Sequence, residues 1–290
     1  MNKTACALGF FDGVHKAHSH ILTTCAAFAK ENSLKSVALT FERSPSEFFG
    51  GRPDYLTTFE QKKELIRSLG IDELIALPVT KELLSLSPED FVHNVLSKEL
   101  SAAAVFCGFN YTFGKNAIGN AETLRELCGK AGIDVYVADK MLIDGTVVSS
   151  SEIRSALSRG DVEKANGLLG RAYEVEGIVE VGKHLGSRLG FPTANIYPDF
   201  SPLKRGVYCT RVSFDGKLYD AVTNIGVNPT VSDNALRVES HLLEFGEDLY
   251  GKPISVSFYK FLRGEKKFSS VEELRKQVEK DKLNAREFFA

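Results

Sequence analysis

Two histidines three residues apart stand at the end of an apolar run in Gly9-Phe10-Phe11-Asp12-Gly13-Val14-His15-Lys16-Ala17-His18. The run Thr4–Phe11 breaks at Asp12-Gly13, and a helical pattern resumes from His18. A strand that turns into a helix N-terminus presents unpaired backbone N–H groups and the positive end of a dipole, which suits a phosphate. Imidazoles at that junction add proton-bearing donors beside the same anion. The expected chemistry is therefore on a nucleotide triphosphate.

Two later segments extend this reading. Gly108-Phe109-Asn110-Tyr111-Thr112-Phe113-Gly114-Lys115 follows the predicted strand Ala103–Cys107, at the same sheet edge as the first loop. Val148-Ser149-Ser150-Ser151-Glu152-Ile153-Arg154 gathers hydroxyls and a guanidinium around another helix start, a composition that suits polyphosphate but is also that of a plain N-cap. Downstream, Gly182-Lys183-His184-Leu185-Gly186-Ser187-Arg188-Leu189-Gly190-Phe191 offers glycines and cations for a phosphate flap. It lacks the Walker spacing, and by composition alone it is equally a solvated turn.

The positioning elements divide the chain in two. In the first half, predicted strands Thr4–Phe11, Ser36–Phe41, Glu73–Leu77, Ala103–Cys107 and Ile133–Val137 alternate with helices. Thr57 with Glu60 reads as a capping box, Ser87-Pro88-Glu89-Asp90 as a helix start, and Gly70 and Gly129 as C-terminal caps. Such alternation implies a Rossmann-like parallel sheet covered by helices, with ligands at the carboxyl ends of its strands. Ser150 or Ser151 opens a further helix, interrupted at Gly160-Asp161 and closed at Gly170.

From Tyr173 the period changes to two, and Val207–Phe214, Asp215-Gly216 and Leu218–Val222 read as a hairpin. Arg237–Glu244 and Ile254–Leu262 add strands, and Ser270 with Glu273 caps a final helix. The second half is expected to be a small antiparallel β-barrel followed by a helix. The expected boundaries are 1–157, a helical linker at 158–172, and 173–290.

Lys and Arg number 36 against 38 Asp and Glu, a net charge of −2 with no like-charge block, so neither nucleic acid nor a membrane is an expected partner. The five cysteines are scattered without a Cys-x-x-Cys pair, as for buried thiols in a reducing cytoplasm. The short apolar N-terminus reads as a first strand rather than a signal peptide.

On these residues the chain resembles the bacterial bifunctional riboflavin kinase/FAD synthetase family. Gly-x-Phe-Asp-Gly-Val-His-x-x-His, Gly-x-Asn-x-x-Phe-Gly and Ser-Ser-Ser-x-Ile-Arg are similar to that family's adenylyltransferase module, a nucleotidyltransferase. Ala17, Ser44 and Ser151 depart from the commoner glycine, histidine and threonine. Pro192-Thr193-Ala194-Asn195, Gly206-Val207-Tyr208, Asn224-Ile225-Gly226-Val227-Asn228-Pro229-Thr230, Val238-Glu239-Ser240-His241-Leu242-Leu243 and Phe261-Leu262-Arg263 resemble its kinase module in order.

The resemblance implies FAD biosynthesis: riboflavin is phosphorylated to FMN by ATP, and FMN is adenylylated to FAD with release of pyrophosphate. It implies Glu239 as the kinase base, with Thr193 and Asn195 holding Mg²⁺. His15 and His18 would stabilise the nucleotide phosphates. Gly9, Phe11, Asp12, Asn110, Ser150, Ser151 and Arg154 would line the ATP and flavin site of the first half. Gly182, Lys183, Gly186, Arg188, Gly190, Tyr208, Asn224 and Arg263 would do so in the second, and His241 would support the site. Riboflavin, FMN and ATP are the implied partners. Two alternatives accompany this reading: a kinase with a weakened adenylyltransferase half, and a flavin-binding regulator without turnover.

Overall fold

A computed structural model of the chain describes residues 3–51, 54–180, 192–228 and 235–290. They form two compact units, Met1–Ser150 and Ser151–Ala290.

The first unit is built on five parallel strands, β1 (Thr4–Leu8), β2 (Lys35–Phe41), β3 (Glu73–Leu77), β4 (Ala102–Gly108) and β5 (Asp134–Ala138). Their order is β3-β2-β1-β4-β5, so the order reverses beside β1. Strand alternation sends Ala5 and Ala7 to one face and Cys6 and Leu8 to the other, and both faces are covered. Ala5 and Ala7 pack with Ile21, Leu22 and Cys25 of α1 (Lys16–Glu31) and Ile66 of α3 (Phe59–Ser68), which follows the short α2 (Pro45–Phe48). Cys6 and Leu8 meet Phe91, Val95 and Leu96 of a π-helical stretch, Phe91–Glu99, and Leu124 of a later helix. That stretch continues from α5 (Pro88–Asp90), which follows α4 (Lys81–Leu84); the later helix is α6 (Ala121–Lys130). The hairpin β6 (Leu142–Ile143) and β7 (Thr146–Val147) leads into α7 (Ser150–Arg159).

Two expected caps are displaced by the structure. The capping box is formed by Thr58 and Gln61, not Thr57 and Glu60, and the freed Thr57 hydroxyl accepts the Gly13 N–H. Gly129 lies inside α6, whose end is Ala131, and Gly132 takes the left-handed conformation at φ 70°.

In the second unit α8 (Val162–Leu169) ends at Gly170, φ 82°. Then come β8 (Tyr173–Ile178), β9 (Ala194–Ile196), β10 (Gly206–Phe214), β11 (Lys217–Asn228), β12 (Ala235–Leu242), β13 (Pro253–Arg263) and α9 (Val271–Phe289). The sheet order is β8-β13-β10-β11-β12-β9, antiparallel throughout. A bridge between Glu180 and Asn195 brings its two ends together, with Glu180 N–H donating to the Asn195 carbonyl at 2.9 Å. Gly177 makes this approach tolerable, since a Cβ there would stand 2.9 Å from Ile196 Cβ. One face buries Tyr208, Thr223, Val238 and Phe258, while Val207, Cys209 and Val222 of the other pack under Ala285 of α9.

All five cysteines are free and buried. Burial pushes their thiols up, Cys6 to about 11 and Cys25 to about 12, so they behave as small apolar side chains.

Candidate functional sites

The loop after β1 is a strained turn. Phe11 and Val14 adopt φ 54° and 39°, and Gly13 φ 77° between them. Non-glycine residues hold such angles only where their surroundings over-determine them. Here a segment from the neighbouring crossover does so: the Leu56 N–H donates to both Asp12 carboxylate oxygens at 3.0 and 3.2 Å, and the Gly13 N–H donates to Thr57 Oγ1 at 3.3 Å. Ser150 Oγ donates to the Asp12 carbonyl at 2.9 Å.

His15 is the N-cap of α1, its Nδ1 accepting the His18 N–H at 3.3 Å. That role requires a lone pair on Nδ1 and leaves Nε2 to carry the proton. The two imidazoles stack with centroids 3.6 Å apart, and Phe11 meets His18 edge-on at 5.3 Å. His18 Nδ1 is shut off from solvent and has no hydrogen-bond partner among the described residues. Desolvation first, then unfavourable electrostatics with His15 and the Lys62 ammonium, holds His18 well below the usual histidine range, so it is neutral near pH 7.

Of the residues expected here, Gly9, Phe11 and Asp12 shape the turn from within. Phe11 is 1% exposed, and a Cβ on Gly9 would strike its ring at 2.8 Å. Asn110 stands exposed in the turn after β4, next to β1 at the carboxyl end of the sheet. Ser151 is exposed and Arg154 half-buried on the first turns of α7.

In the second unit, register puts Asn195, Glu239 and Asn224 side by side on β9, β12 and β11. Directly opposed residues of antiparallel strands share a face. Thr193 Oγ1 donates to Glu239 Oε1 at 3.0 Å, and Arg237 Nη2 lies 3.2 Å from Glu239 Oε2. Asn195 Nδ2 reaches the Thr193 carbonyl and Oγ1, both at 3.4 Å. His241 shares the Glu239 strand face two residues on, and its Nδ1 meets the Pro192 carbonyl at 2.8 Å as an N–H donor. Burial pulls its pKa down.

Two of the residues expected to meet ligand have partners within the protein. Tyr208 is fully buried between Phe258 and Phe261 with its hydroxyl on the Lys204 carbonyl, so its side chain belongs to the core. Arg263 turns to α9, donating from Nε and Nη2 to Asp281 and from Nη1 to the Gly264 carbonyl. Gly182, Lys183, Gly186, Arg188 and Gly190 lie outside the described residues.

Lys62 and Arg237 escape sequence reading. Lys62 sits on a helix that resembles any amphipathic helix, and its partners are backbone carbonyls far away in sequence. Arg237 stands two residues before Glu239 on β12, where strand alternation puts both on one face; it belongs to none of the motifs, and the ion pair identifies it.

Residues 1–152 match the family model described as FAD synthetase, and residues 169–289 the one described as riboflavin kinase. A bifunctional riboflavin kinase/FMN adenylyltransferase of Bacillus subtilis is 36% identical, over 99% of this chain and 93% of that protein. The chain belongs to this family. Its homologue in Listeria monocytogenes is also 36% identical (98% and 92% covered), and that of Escherichia coli K12 33% (97% and 91%). A solved structure described as a macrolide-efflux protein from Streptococcus pneumoniae has the same fold, with TM-score 0.90 and 27% identity over 98% of this chain and 94% of that one. Among the described residues of this chain no helix is long and apolar enough to cross a membrane.

Proposed function

We propose that the chain makes FAD in two ATP-dependent steps, with residues 173–290 as the riboflavin kinase, residues 1–157 as the FMN adenylyltransferase and 158–172 as the link. The observation that carries this is the Thr193–Glu239–Asn195 cluster, a carboxylate with two neutral oxygen donors beside it, in a chain whose two halves match the two families.

In the kinase step the ribityl hydroxyl oxygen of riboflavin bonds to the γ-phosphorus of ATP as the bond to ADP breaks. Glu239 takes the hydroxyl proton. Thr193 and Arg237 hold the two carboxylate oxygens in place, so the base is aimed before substrate arrives. Magnesium prefers oxygen ligands and keeps several waters and phosphate oxygens. The Thr193 hydroxyl, whose proton is directed at Glu239, and the Asn195 amide fit that requirement and would hold it. When bound, the ion neutralises charge on the transferring phosphoryl group. By the family resemblance Gly182, Lys183, Gly186, Arg188 and Gly190 would bind the phosphates, with Asn224 beside Glu239 in register.

In the adenylyl step an FMN phosphate oxygen bonds to the α-phosphorus of a second ATP, and pyrophosphate leaves. The attacking group is already anionic, so no base is needed. His15, His18, Arg154 and the Ser151 hydroxyl would stabilise charge on the phosphates, an electrostatic role, while Ser150, its proton given to the Asp12 carbonyl, would hold the loop and Asn110 would hold substrate. Five buried free thiols and a net charge of −2 favour a cytoplasmic enzyme of small molecules.

Purified protein given riboflavin, ATP and Mg²⁺ should produce FMN first and FAD after it. FMN without FAD would select a chain whose adenylyl half is weak. Neither product would contradict the proposal and favour a binding protein.

A further inference from the structure

Lys62 is the most deeply buried lysine of the first unit, 3% exposed, and it lies where β1 and β2 end. Its ammonium has three protons. Three acceptors surround it: the Phe41 carbonyl at 2.6 Å, the Phe10 carbonyl at 3.2 Å and Thr40 Oγ1 at 3.4 Å. Thr40 Oγ1 itself donates to the Phe10 carbonyl at 2.9 Å, which closes the network. The rings of Phe10 and Phe59 lie 4.5 and 5.3 Å from the charge.

The same crossover therefore grips the His15/His18 loop from three places. Leu56 N–H holds the Asp12 carboxylate, Thr57 Oγ1 holds the Gly13 N–H, and Lys62 holds the carbonyl of Phe10. With each ammonium proton directed at an acceptor, Lys62 is not arranged to bind a phosphate oxygen itself.

We infer that Lys62 is a positioning residue for adenylyl transfer: it ties the carboxyl ends of β1 and β2 together and so fixes the strained turn that presents His15 and His18. This rests on the assignment of the adenylyl step to the first unit.

Only the protonated amine can serve all three acceptors. Burial pulls Lys62 down to about 8, against the charges of Asp12 and Glu42, which oppose that fall. His18 is the other titratable group that interacts with it, and His18 is neutral in this range. Raising the pH through about 8 removes one donor and the charge, so adenylyl transfer declines on the alkaline side.

The test uses the full chain and measures kcat/KM for FAD formation from added FMN and MgATP across pH, with FMN formation from riboflavin as the internal control. Lys62→Met should lower FAD formation by about 10²-fold, mostly in kcat, as displaced reacting groups do. FMN formation should be unchanged. Lys62→Arg, charged at every pH used, should recover activity and lose the alkaline decline. If Lys62→Met unfolds the first unit, the alkaline limb of Lys62→Arg alone decides. Full activity in folded Lys62→Met, or an alkaline limb identical in the native chain and Lys62→Arg, would overturn the inference. Absence of FAD from the native chain would instead overturn the assignment on which it rests.

Discussion

Thr193, the residue before β9, meets Glu239 of β12 at 3.0 Å, the hydroxyl of one donating to the carboxylate of the other. The pair binds the start of a short strand to the middle of a long one. It also places a neutral oxygen donor and a proton acceptor on the same face of the sheet.

Thr193→Val keeps the side chain's shape and removes the donor. Glu239 then loses one of the two groups that aim it, and the site loses an oxygen ligand. FMN formation should fall by about tenfold or more, the scale of one hydrogen bond to a charged group, while Thr193→Ser should retain most activity. Steady-state kinetics with riboflavin check this; equal rates for Val and Ser would show that the hydroxyl has no part.

His18 yields a pH prediction. Its pKa in the folded chain lies well below 6.5, chiefly because its half-buried ring is desolvated. The unfolded chain takes up a proton near the ordinary histidine value that the folded turn refuses. The contribution of His18 to stability is therefore complete above that value and lost as pH falls toward the folded pKa. Calorimetry of ligand-free protein at about pH 7.5 and about pH 5.5 should show the first unit melting lower in acid. His18→Gln should flatten that dependence, and an unchanged slope would count against a desolvated neutral imidazole.

Arg263 and Asp281 give a stability prediction. Asp281 is 2% exposed and receives Arg263 Nη2 at 2.7 Å, Nε at 3.1 Å and Gln277 Nε2 at 2.8 Å. Removing the guanidinium leaves a buried carboxylate without its counter-ion. Arg263→Met should destabilise the second unit by about 3 kcal/mol, at the lower end for a broken buried pair because Arg263 is partly exposed. Denaturant melts check it. A variant that loses kinase activity with an unchanged melt would instead return Arg263 to the ligand site.

The parts of this architecture that were legible in sequence were those encoded locally. Glu73–Leu77 is a strand with the expected bounds because an apolar run between helix caps has few alternatives. The capping box was misplaced by one residue because Thr57-x-x-Glu60 and Thr58-x-x-Gln61 fit one pattern; a tertiary contact, Gly13 to Thr57, separates them. β9 spans three residues, too short to display a period, and exists through its pairing with β12. Gly129 shows that a glycine near a helix end need not close it. The histidine pair and Glu239 stood out through their motifs. Lys62 did not, since its partners are brought near by topology, and Arg237, a same-face neighbour of Glu239 by strand alternation, lies outside every motif.

Two activities in two units of one chain require that Glu239 serve only the kinase. Full-length Glu239→Gln, assayed once with riboflavin and once with FMN, separates the two steps. Loss of the base should reduce FMN formation from riboflavin by about 10²-fold to 10⁴-fold, while added FMN is still converted to FAD at the native rate. Loss of both conversions in a folded protein, or undiminished FMN formation, would contradict the account.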